Sequence, residues 1–154
     1  MSRIQLICIG SLKTSWIREG CSYFFERLKR DCNLEIIELP ASKVRDSERQ
    51  IKEESQRILD ALKKREGAVW VLEKSGKQMS SEEFSRALSG FGDRGQSLTI
   101  VLGGAYGLSD GVRQQADCLF SLSLMTFPHE LCRLIFLEQL YRAIQIGKGS
   151  GYHH

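Results

Sequence analysis

Short apolar segments alternate with amphipathic ones along the chain, and this alternation restricts the fold more than any other feature. The segments Ala68–Leu72 (AVWVL) and Leu98–Leu102 (LTIVL) are short, rich in β-branched residues and apolar at nearly every position. Strands of that type are buried on both faces, as in parallel sheets. Because apolar residues between such strands recur with the period of a helix, the sequence predicts an α/β fold. We expect a mostly parallel sheet with helices on both faces.

The predicted elements follow one another in a regular order. Strands are predicted at Ile4–Ile9, Asn33–Leu39, Ala68–Leu72, Leu98–Leu102 and Leu119–Leu122. Helices are predicted from Ser15, along Ile51, Ser55, Ile58, Leu59 and Leu62 to an end near Gly67 as C-cap, from a Ser80–Glu83 capping box to about Gly90, after Ser109, and from Pro128 to about Ile146. The stretch through Arg49 and the segment Glu73–Gln78 are predicted to be loops. Since no linker divides the chain, residues 1–154 are expected to form one domain.

The composition excludes several classes of protein. With 42% apolar and 27% charged residues and no Pro/Gly-rich tract, neither a disordered nor a fibrous protein is expected. No apolar run reaches the roughly 18 residues of a membrane span, and the short first strand does not make a signal peptide. We therefore expect a soluble, cytoplasmic protein with no membrane partner.

The cysteines and the net charge say little about chemistry. The five cysteines are scattered and form no CxxC pair, so neither a zinc site nor any other metal site is expected, and no disulfide framework. They are expected to be small buried apolar residues. The formal charge of +3 permits a nucleic-acid partner without demonstrating one.

The final predicted helix is apolar around its whole circumference. A helix on the surface of a domain needs an apolar stripe only about 100° wide. Here the apolar residues are Leu131, Cys132, Leu134, Ile135, Phe136, Leu137, Leu140, Tyr141, Ala143, Ile144 and Ile146. A small domain covers one side of such a helix with its own sheet, so we predict a homodimer with this helix at the interface. A helix fully buried within one chain is the alternative.

The glycine-rich segment Gly103–Gly107 follows the fourth predicted strand, where a phosphate-binding loop would lie. It lacks the Gly-x-Gly-x-x-Gly pattern of dinucleotide-binding loops and the Lys-Ser/Thr of a P-loop. It nevertheless presents backbone N–H and C=O groups without Cβ atoms at the carboxyl ends of parallel strands. The segment is therefore either a ligand-binding loop or a tight turn.

Two further segments have both a structural and a functional interpretation. Leu122–His129 is either a strand end entering a helix or a segment that wraps an adenine, and His129 either bonds locally or takes part in catalysis. The tail Gly147–His154 is a frayed end, a tag remnant, or an arm that orders on RNA through Tyr152 and Lys148.

These segments together resemble one family. The resemblance is carried by the glycine loop after Leu98–Leu102, the Leu122–Phe127 run, Pro128-His129-x-x-x-Arg133, Glu138-Gln139-x-Tyr141-Arg142-Ala143 and the terminal Tyr152-His153. With these motifs the chain is similar to the ribosomal RNA large subunit methyltransferase H family, which belongs to the SPOUT class. The match is specific in the C-terminal half and compatible with the whole chain.

The resemblance implies a fold, a cofactor and a reaction. The implied fold is a homodimeric α/β domain whose C-terminal segment is threaded as a trefoil knot. The implied cofactor is S-adenosylmethionine, held by backbone groups of Leu72, Gly103, Leu122, Ser123, Leu124, Met125, Thr126 and Phe127. The implied reaction is methylation at N3 of a pseudouridine in 23S (large-subunit) rRNA within the assembled 70S ribosome.

The resemblance also implies roles for the C-terminal residues. His153 would act as proton acceptor or base anchor, Arg142 would stabilise the developing anion, and Tyr152 would orient the ring, with Glu138 holding Arg142. A purely positional role for all four is the alternative. His154 departs from the family, which usually has Lys or Arg there. Two other functions remain open, a non-catalytic ribosome- or RNA-binding knotted module and a tRNA-modifying SPOUT enzyme.

Overall fold

A computed structural model of the chain describes residues 2–154. Five parallel strands form one sheet in the order β2-β1-β4-β3-β5. The strands are β1 (Arg3–Ile9), β2 (Asn33–Leu39), β3 (Ala68–Gln78), β4 (Ser97–Leu102) and β5 (Cys118–Ser121). The helices are α1 (Ser15–Leu28), α2 (Ser47–Leu62), α3 (Ser81–Asp93), α4 (Asp110–Gln114) and α5 (His129–Lys148). The predicted α/β fold with a parallel sheet is confirmed.

Helices cover both faces of the sheet, which explains the continuous apolar strands. One core cluster joins strand residues to α1, α3 and α5 through buried side chains such as Cys21, Phe84 and Phe136. A second cluster joins the opposite face to α2 and α4 through Ile58 and Val112. Each central strand therefore contributes apolar side chains to two cores. Within residues 2–154, no helix combines the length and the apolar character of a membrane span.

The structure corrects two predicted boundaries. The helix α2 begins at Ser47 rather than Ile51, because the Asp46 side chain accepts a hydrogen bond from Arg49 N (2.9 Å) and caps it. The same helix ends at Leu62 with an ordinary right-handed cap, so the predicted C-cap at Gly67 is wrong. Gly67 has a φ of +95° and lies in the turn before β3.

The strand β3 contains a bulge that the sequence did not indicate. Its pairing with β5 is interrupted between Leu72 and Lys77, and both of these residues pair with Phe120. Residues 73–76 therefore project from the ladder, and the predicted loop over Glu73–Gln78 is wrong because the strand resumes after them. A Cβ atom at Gly76 would lie 2.6 Å from Phe120 N, so only glycine permits this approach of the two backbones.

The helix α5 is covered mainly by its own chain. It packs on α1, α3 and the sheet, and Phe136, Leu137 and Leu140 are fully buried. Its own chain therefore covers α5 on several sides, but other apolar residues, such as Leu134 and Ile135, are only half-buried, so α5 is not fully buried within one chain. The apolar composition of α5 does not by itself require a second subunit, and the homodimer stays a prediction.

Candidate functional site

A cavity of about 220 Å³ opens at the carboxyl ends of three neighbouring strands. Its wall is formed by Leu72 at the end of the first part of β3, Gly103 after β4, and Leu122 after β5. In α/β proteins, ligands bind at this edge of the sheet. The predicted glycine loop and the predicted Leu122–Phe127 segment therefore face one another across a single cavity.

Gly103 fixes the course of the glycine loop. A Cβ atom at this position would lie 2.8 Å from Cγ of Leu108, a buried side chain that also lines the cavity. Any larger residue would push the loop or Leu108 out of place. The backbone of Gly103 is consequently exposed to a ligand while apolar side chains pack behind it.

The segment after β5 is folded by its own hydroxyl groups. Ser121 Oγ donates to the Ser123 carbonyl (2.9 Å), and Ser123 Oγ accepts from Met125 N (2.9 Å). These bonds curve the chain around the cavity before α5 begins. Leu124 points away from the wall and is 71% exposed, while Met125 lines the mouth and is 75% exposed.

Two charged residues that sequence reasoning missed lie in the cavity wall. Glu73, in the β3 bulge, accepts hydrogen bonds from Arg113 Nε (2.7 Å) and Nη2 (3.3 Å). This contact raises the pKa of Arg113 above its usual range. Lys74 donates through Nζ to Thr126 Oγ1 (3.2 Å) across the mouth. The only sequence signal was their position directly after a buried strand.

The start of α5 is fixed to the first strand and its loop. Glu130 accepts hydrogen bonds from the backbone N–H groups of Lys13 (2.6 Å) and Thr14 (3.1 Å), which lower the pKa of Glu130. The buried Arg133 donates to the Gly10 carbonyl (2.8 Å) and to Glu38 (2.5 Å). These contacts hold the first turn of α5, from which His129 and Cys132 line the cavity.

The residues predicted to bind the implied cofactor, the methyl donor, lie together in the structure. Seven of the eight line the cavity: Leu72, Gly103, Leu122, Ser123, Met125, Thr126 and Phe127. The eighth, Leu124, does not. The wall combines apolar side chains with hydroxyl and backbone groups, and within residues 2–154 no cluster of three potential metal ligands occurs. Such a wall suits an organic ligand with a flat, weakly polar ring.

The residues predicted to be catalytic form a second cluster, on the later turns of α5. Arg142 donates to Glu138 Oε1 from Nε (3.0 Å) and from Nη2 (2.6 Å), and Tyr152 Oη donates to the same oxygen (3.2 Å). The guanidinium of Arg142 also lies 4.9 Å from the centroid of the Tyr152 ring. Burial and the Glu138 carboxylate raise the pKa of Tyr152. The tail is thus held on α5 rather than frayed.

Both ring nitrogens of His153 are engaged. Arg142 Nη1 lies 3.3 Å from Nδ1, and Glu82 Oε1 lies 2.8 Å from Nε2. An arginine only donates, so Nδ1 accepts and the proton of the neutral ring lies on Nε2, where it is donated to Glu82. A backbone hydrogen bond and, second to it, this contact with His153 lower the pKa of Glu82. Sequence reasoning missed Glu82, which no motif marks.

The cavity and the C-terminal cluster are separate within one chain. Arg142 follows Cys132, a cavity-lining residue, by ten positions, which is about 15 Å along a helix. None of Arg142, Tyr152 and His153 lines the cavity. The structure therefore brings the predicted donor-binding residues together and the predicted catalytic residues together, but not the two groups.

Comparison with known proteins identifies a family that matches nearly the whole chain. A family model described as "Predicted SPOUT methyltransferase" matches residues 2–153. The curated relatives include ribosomal RNA large subunit methyltransferase H of Streptococcus mutans, 42% identical over 98% of this chain and 99% of the relative. Proteins of the same name from Lactobacillus delbrueckii subsp. bulgaricus (40% identical, 97% of this chain and 98% of the relative) and Enterococcus faecalis (42% identical, 98% and 99%) also match. The chain is therefore a methyltransferase and belongs to the SPOUT family.

Proposed function

We propose that this methyltransferase, acting as one domain over residues 1–154, transfers a methyl group from S-adenosylmethionine to N3 of a pseudouridine in 23S rRNA. The observation that carries the proposal is the cavity at the carboxyl edge of the sheet, lined by Gly103 and by Leu122, Ser123, Met125, Thr126 and Phe127. The relatives named above are rRNA methyltransferases by name, and they match this chain from end to end.

The wall of the cavity fits the proposed donor. Leu72, Leu122 and Phe127 offer apolar surface to an adenine ring, and the backbone at Gly103 is within reach of its polar edge. Ser123 and Thr126 add hydroxyl groups. Because S-adenosylmethionine has no pyrophosphate, the site needs neither the dinucleotide pattern nor a P-loop, which the sequence lacks. When bound, the donor supplies an electrophilic methyl group on its sulfonium.

The C-terminal cluster supplies the groups that the methyl acceptor, N3 of pseudouridine, needs in order to react. N3 of pseudouridine is a weakly acidic imide, so a nearby positive charge favours loss of its proton. Arg142 carries that charge and is oriented by Glu138, and Tyr152 packs beside it to orient the base. His153 takes the N3 proton on Nδ1 once Arg142 Nη1, now 3.3 Å away, turns to the base, or it anchors the base while the proton passes to water.

A second copy of the chain joins these two groups of residues in our proposal. Two exposed apolar side chains lie at the cavity mouth, Met125 in its lining and Leu124 directly before it in the chain. Exposed apolar side chains grouped in this way are typical of protein interfaces. In the homodimer the tail of one protomer would reach the cavity of its partner. The segment 122–127 would pass through the loop after β4 as a trefoil knot.

The proposed substrate is the rRNA of the assembled 70S ribosome, and the reaction is therefore cytoplasmic. Recognition then depends on the dimer surface and on the ribosome itself. At position 154, where the family usually has a cation, this chain has histidine. Lys148 is the nearest lysine or arginine in sequence, and it would have to leave its ion pair with Asp31 to contact a phosphate.

The proposal is tested by transfer of a labelled methyl group from S-adenosylmethionine to separated substrates. The substrates are 70S ribosomes, free 23S rRNA and tRNA, each from cells that lack the protein. We expect incorporation into the 23S rRNA of 70S ribosomes and little into tRNA. Incorporation into tRNA alone would identify a tRNA-modifying enzyme, and donor binding without transfer would identify a non-catalytic module.

A further inference from the structure

The cavity wall contains one cation that the proposed reaction does not use. Lys74 lies in the β3 bulge, and its only hydrogen bond within residues 2–154 is the one donated to Thr126 at the cavity mouth. Among the lining residues, all of which fall in the described part of the chain, Lys74 is the only lysine or arginine. No ion pair within residues 2–154 includes it. The ammonium group is available to an anionic ligand.

The neighbouring carboxylate does not neutralise Lys74. Glu73 accepts both of its hydrogen bonds from Arg113 in α4, and Arg113 is fixed in turn by Asp110 (2.9 Å). A bidentate arginine–carboxylate pair is strong and directional, so Glu73 stays on Arg113. Lys74 consequently has no carboxylate partner of its own, and its ammonium group can pair with the anionic end of a ligand.

Burial determines which end of the donor meets Lys74. The inner wall is apolar, with Leu102 and Leu108 buried, whereas Lys74 and Thr126 are exposed. The cavity of about 220 Å³ is smaller than the roughly 300–1,000 Å³ of complete small-molecule sites. A donor with its adenine against the apolar wall therefore extends to the mouth. The groups at its far end are the α-carboxylate and the α-ammonium of the methionine moiety, and of these two only the carboxylate can accept a hydrogen bond from an ammonium group.

We propose that Lys74 binds the α-carboxylate of S-adenosylmethionine at the cavity mouth. Thr126 holds the ammonium group in place before the donor arrives, through the 3.2 Å hydrogen bond. Lys74 then distinguishes donors that have a carboxylate from analogues that lack it. This inference rests on the proposed function, since it concerns the donor of that same reaction.

The test compares two ligands that differ only in the carboxylate. S-adenosylmethionine and its decarboxylated analogue share the adenosine, the sulfonium and the amine, and calorimetry gives the Kd of each. Lys74→Met is expected to weaken binding of S-adenosylmethionine about threefold to tenfold and to change binding of the analogue less than about twofold. Lys74→Arg should restore the preference. Lys77→Met, on the same strand but outside the cavity wall, should change neither Kd.

Three results would overturn the inference. An equal loss for both ligands would mean that Lys74 acts through packing. Unchanged affinity for both ligands together with weaker binding to ribosomes would assign Lys74 to an RNA phosphate. If the unaltered protein bound neither ligand, the proposed donor itself would be wrong, a result that differs from the other two.

Discussion

At the scale of single residues, His153 is held between Arg142 and Glu82, and no sequence motif marks Glu82 as its partner. Removing Glu82 leaves Nε2 of His153 without its acceptor at 2.8 Å, so the ring loses its fixed tautomer and the tail loses one attachment. We expect Glu82→Ala to slow single-turnover methyl transfer about fivefold, the effect of one hydrogen bond. Nitrogen-15 NMR of the imidazole should show a mixture of tautomers.

Glu48→Ala is the matched control, because Glu48 lies in the first turn of α2 as Glu82 lies in the first turn of α3. It should alter neither the tautomer nor the rate. If Glu82→Ala left both unchanged, the contact between Glu82 and His153 would have no part in presenting the tail.

The buried cysteines make the free energy of unfolding decrease as the pH becomes alkaline. Burial raises the pKa of Cys8 to about 12 and those of Cys21 and Cys32 to about 11. Unfolded thiols ionise near pH 8.5, so their contribution to stability is complete below that pH and is lost as the pH rises toward the folded pKa. In that window each thiol lowers the free energy of unfolding by about 1.4 kcal/mol per pH unit.

Cys8→Val removes one of these groups while keeping a small apolar side chain. Urea unfolding of the variant and of the unaltered protein at pH 8 and pH 10.5 should show a smaller loss of stability for the variant. The same loss for both proteins would mean that Cys8 ionises in the folded state as easily as in the unfolded one.

At the scale of secondary structure, the close approach of β3 and β5 shapes the cavity wall. A Cβ atom at Gly76 would meet the backbone of β5, at 2.6 Å from Phe120 N and 2.7 Å from the Leu119 carbonyl carbon. Backbone cannot move aside as a side chain can, so we expect Gly76→Ala to cost about 2 kcal/mol or more of unfolding free energy. Urea denaturation measures this loss.

Gly147→Ala is the control for that substitution. Gly147 lies in α5, and a Cβ atom there would make only ordinary contacts, with Ser85 and Ser89 Oγ at 3.6 Å. It should leave stability unchanged or raise it slightly, since alanine favours helix more than glycine does. Equal stability of the two alanine variants would show that the bulge tolerates a side chain.

Periodicity in the sequence predicted most elements but not the β3 bulge. The buried strands and the Ser80–Glu83 capping box follow from local patterns, and the structure confirms both. The bulge depends on Gly76 meeting Phe120, a contact between residues far apart in the chain, so no local pattern marks it. For the same reason Glu73 and Lys74 were expected in a loop and their place in the cavity wall was missed.

The candidate site was predictable where it is made of backbone. Glycine at 103 and the run 122–127 are visible as sequence segments, and both lie in the cavity wall. The pairings of Glu73 with Arg113 and of His153 with Glu82 join distant segments, at separations of 40 and 71 positions. Such pairs depend on the tertiary fold, so single-sequence reasoning has no signal for them.

At the scale of the whole molecule, each of the two active sites of the proposed dimer combines the cavity of one chain with the tail of the other. Gly103→Ala damages the cavity, and Arg142→Ala damages the tail cluster, so each homodimer should lose most of its activity. In a heterodimer of the two variants, one cavity and one tail are intact and meet in the same site. Unfolding and refolding an equal mixture should therefore restore about one quarter of the unaltered activity.

Two results would contradict this arrangement. Sedimentation should give a mass near twice the 17.5 kDa of one chain, and a monomer at micromolar concentration would exclude a shared site. A dimer whose mixed variants regain no activity would mean that each chain uses its own tail.

The central claim is the transfer of a methyl group to one base of 23S rRNA, and mass mapping of that base tests it most directly. 70S ribosomes from cells lacking the protein are incubated with the protein and S-adenosylmethionine, and nuclease fragments of the rRNA are weighed and sequenced. We predict one added methyl group on a single pseudouridine, which disappears when the donor is omitted. Unmodified 23S rRNA, or a methyl group on any other nucleotide, would contradict the account.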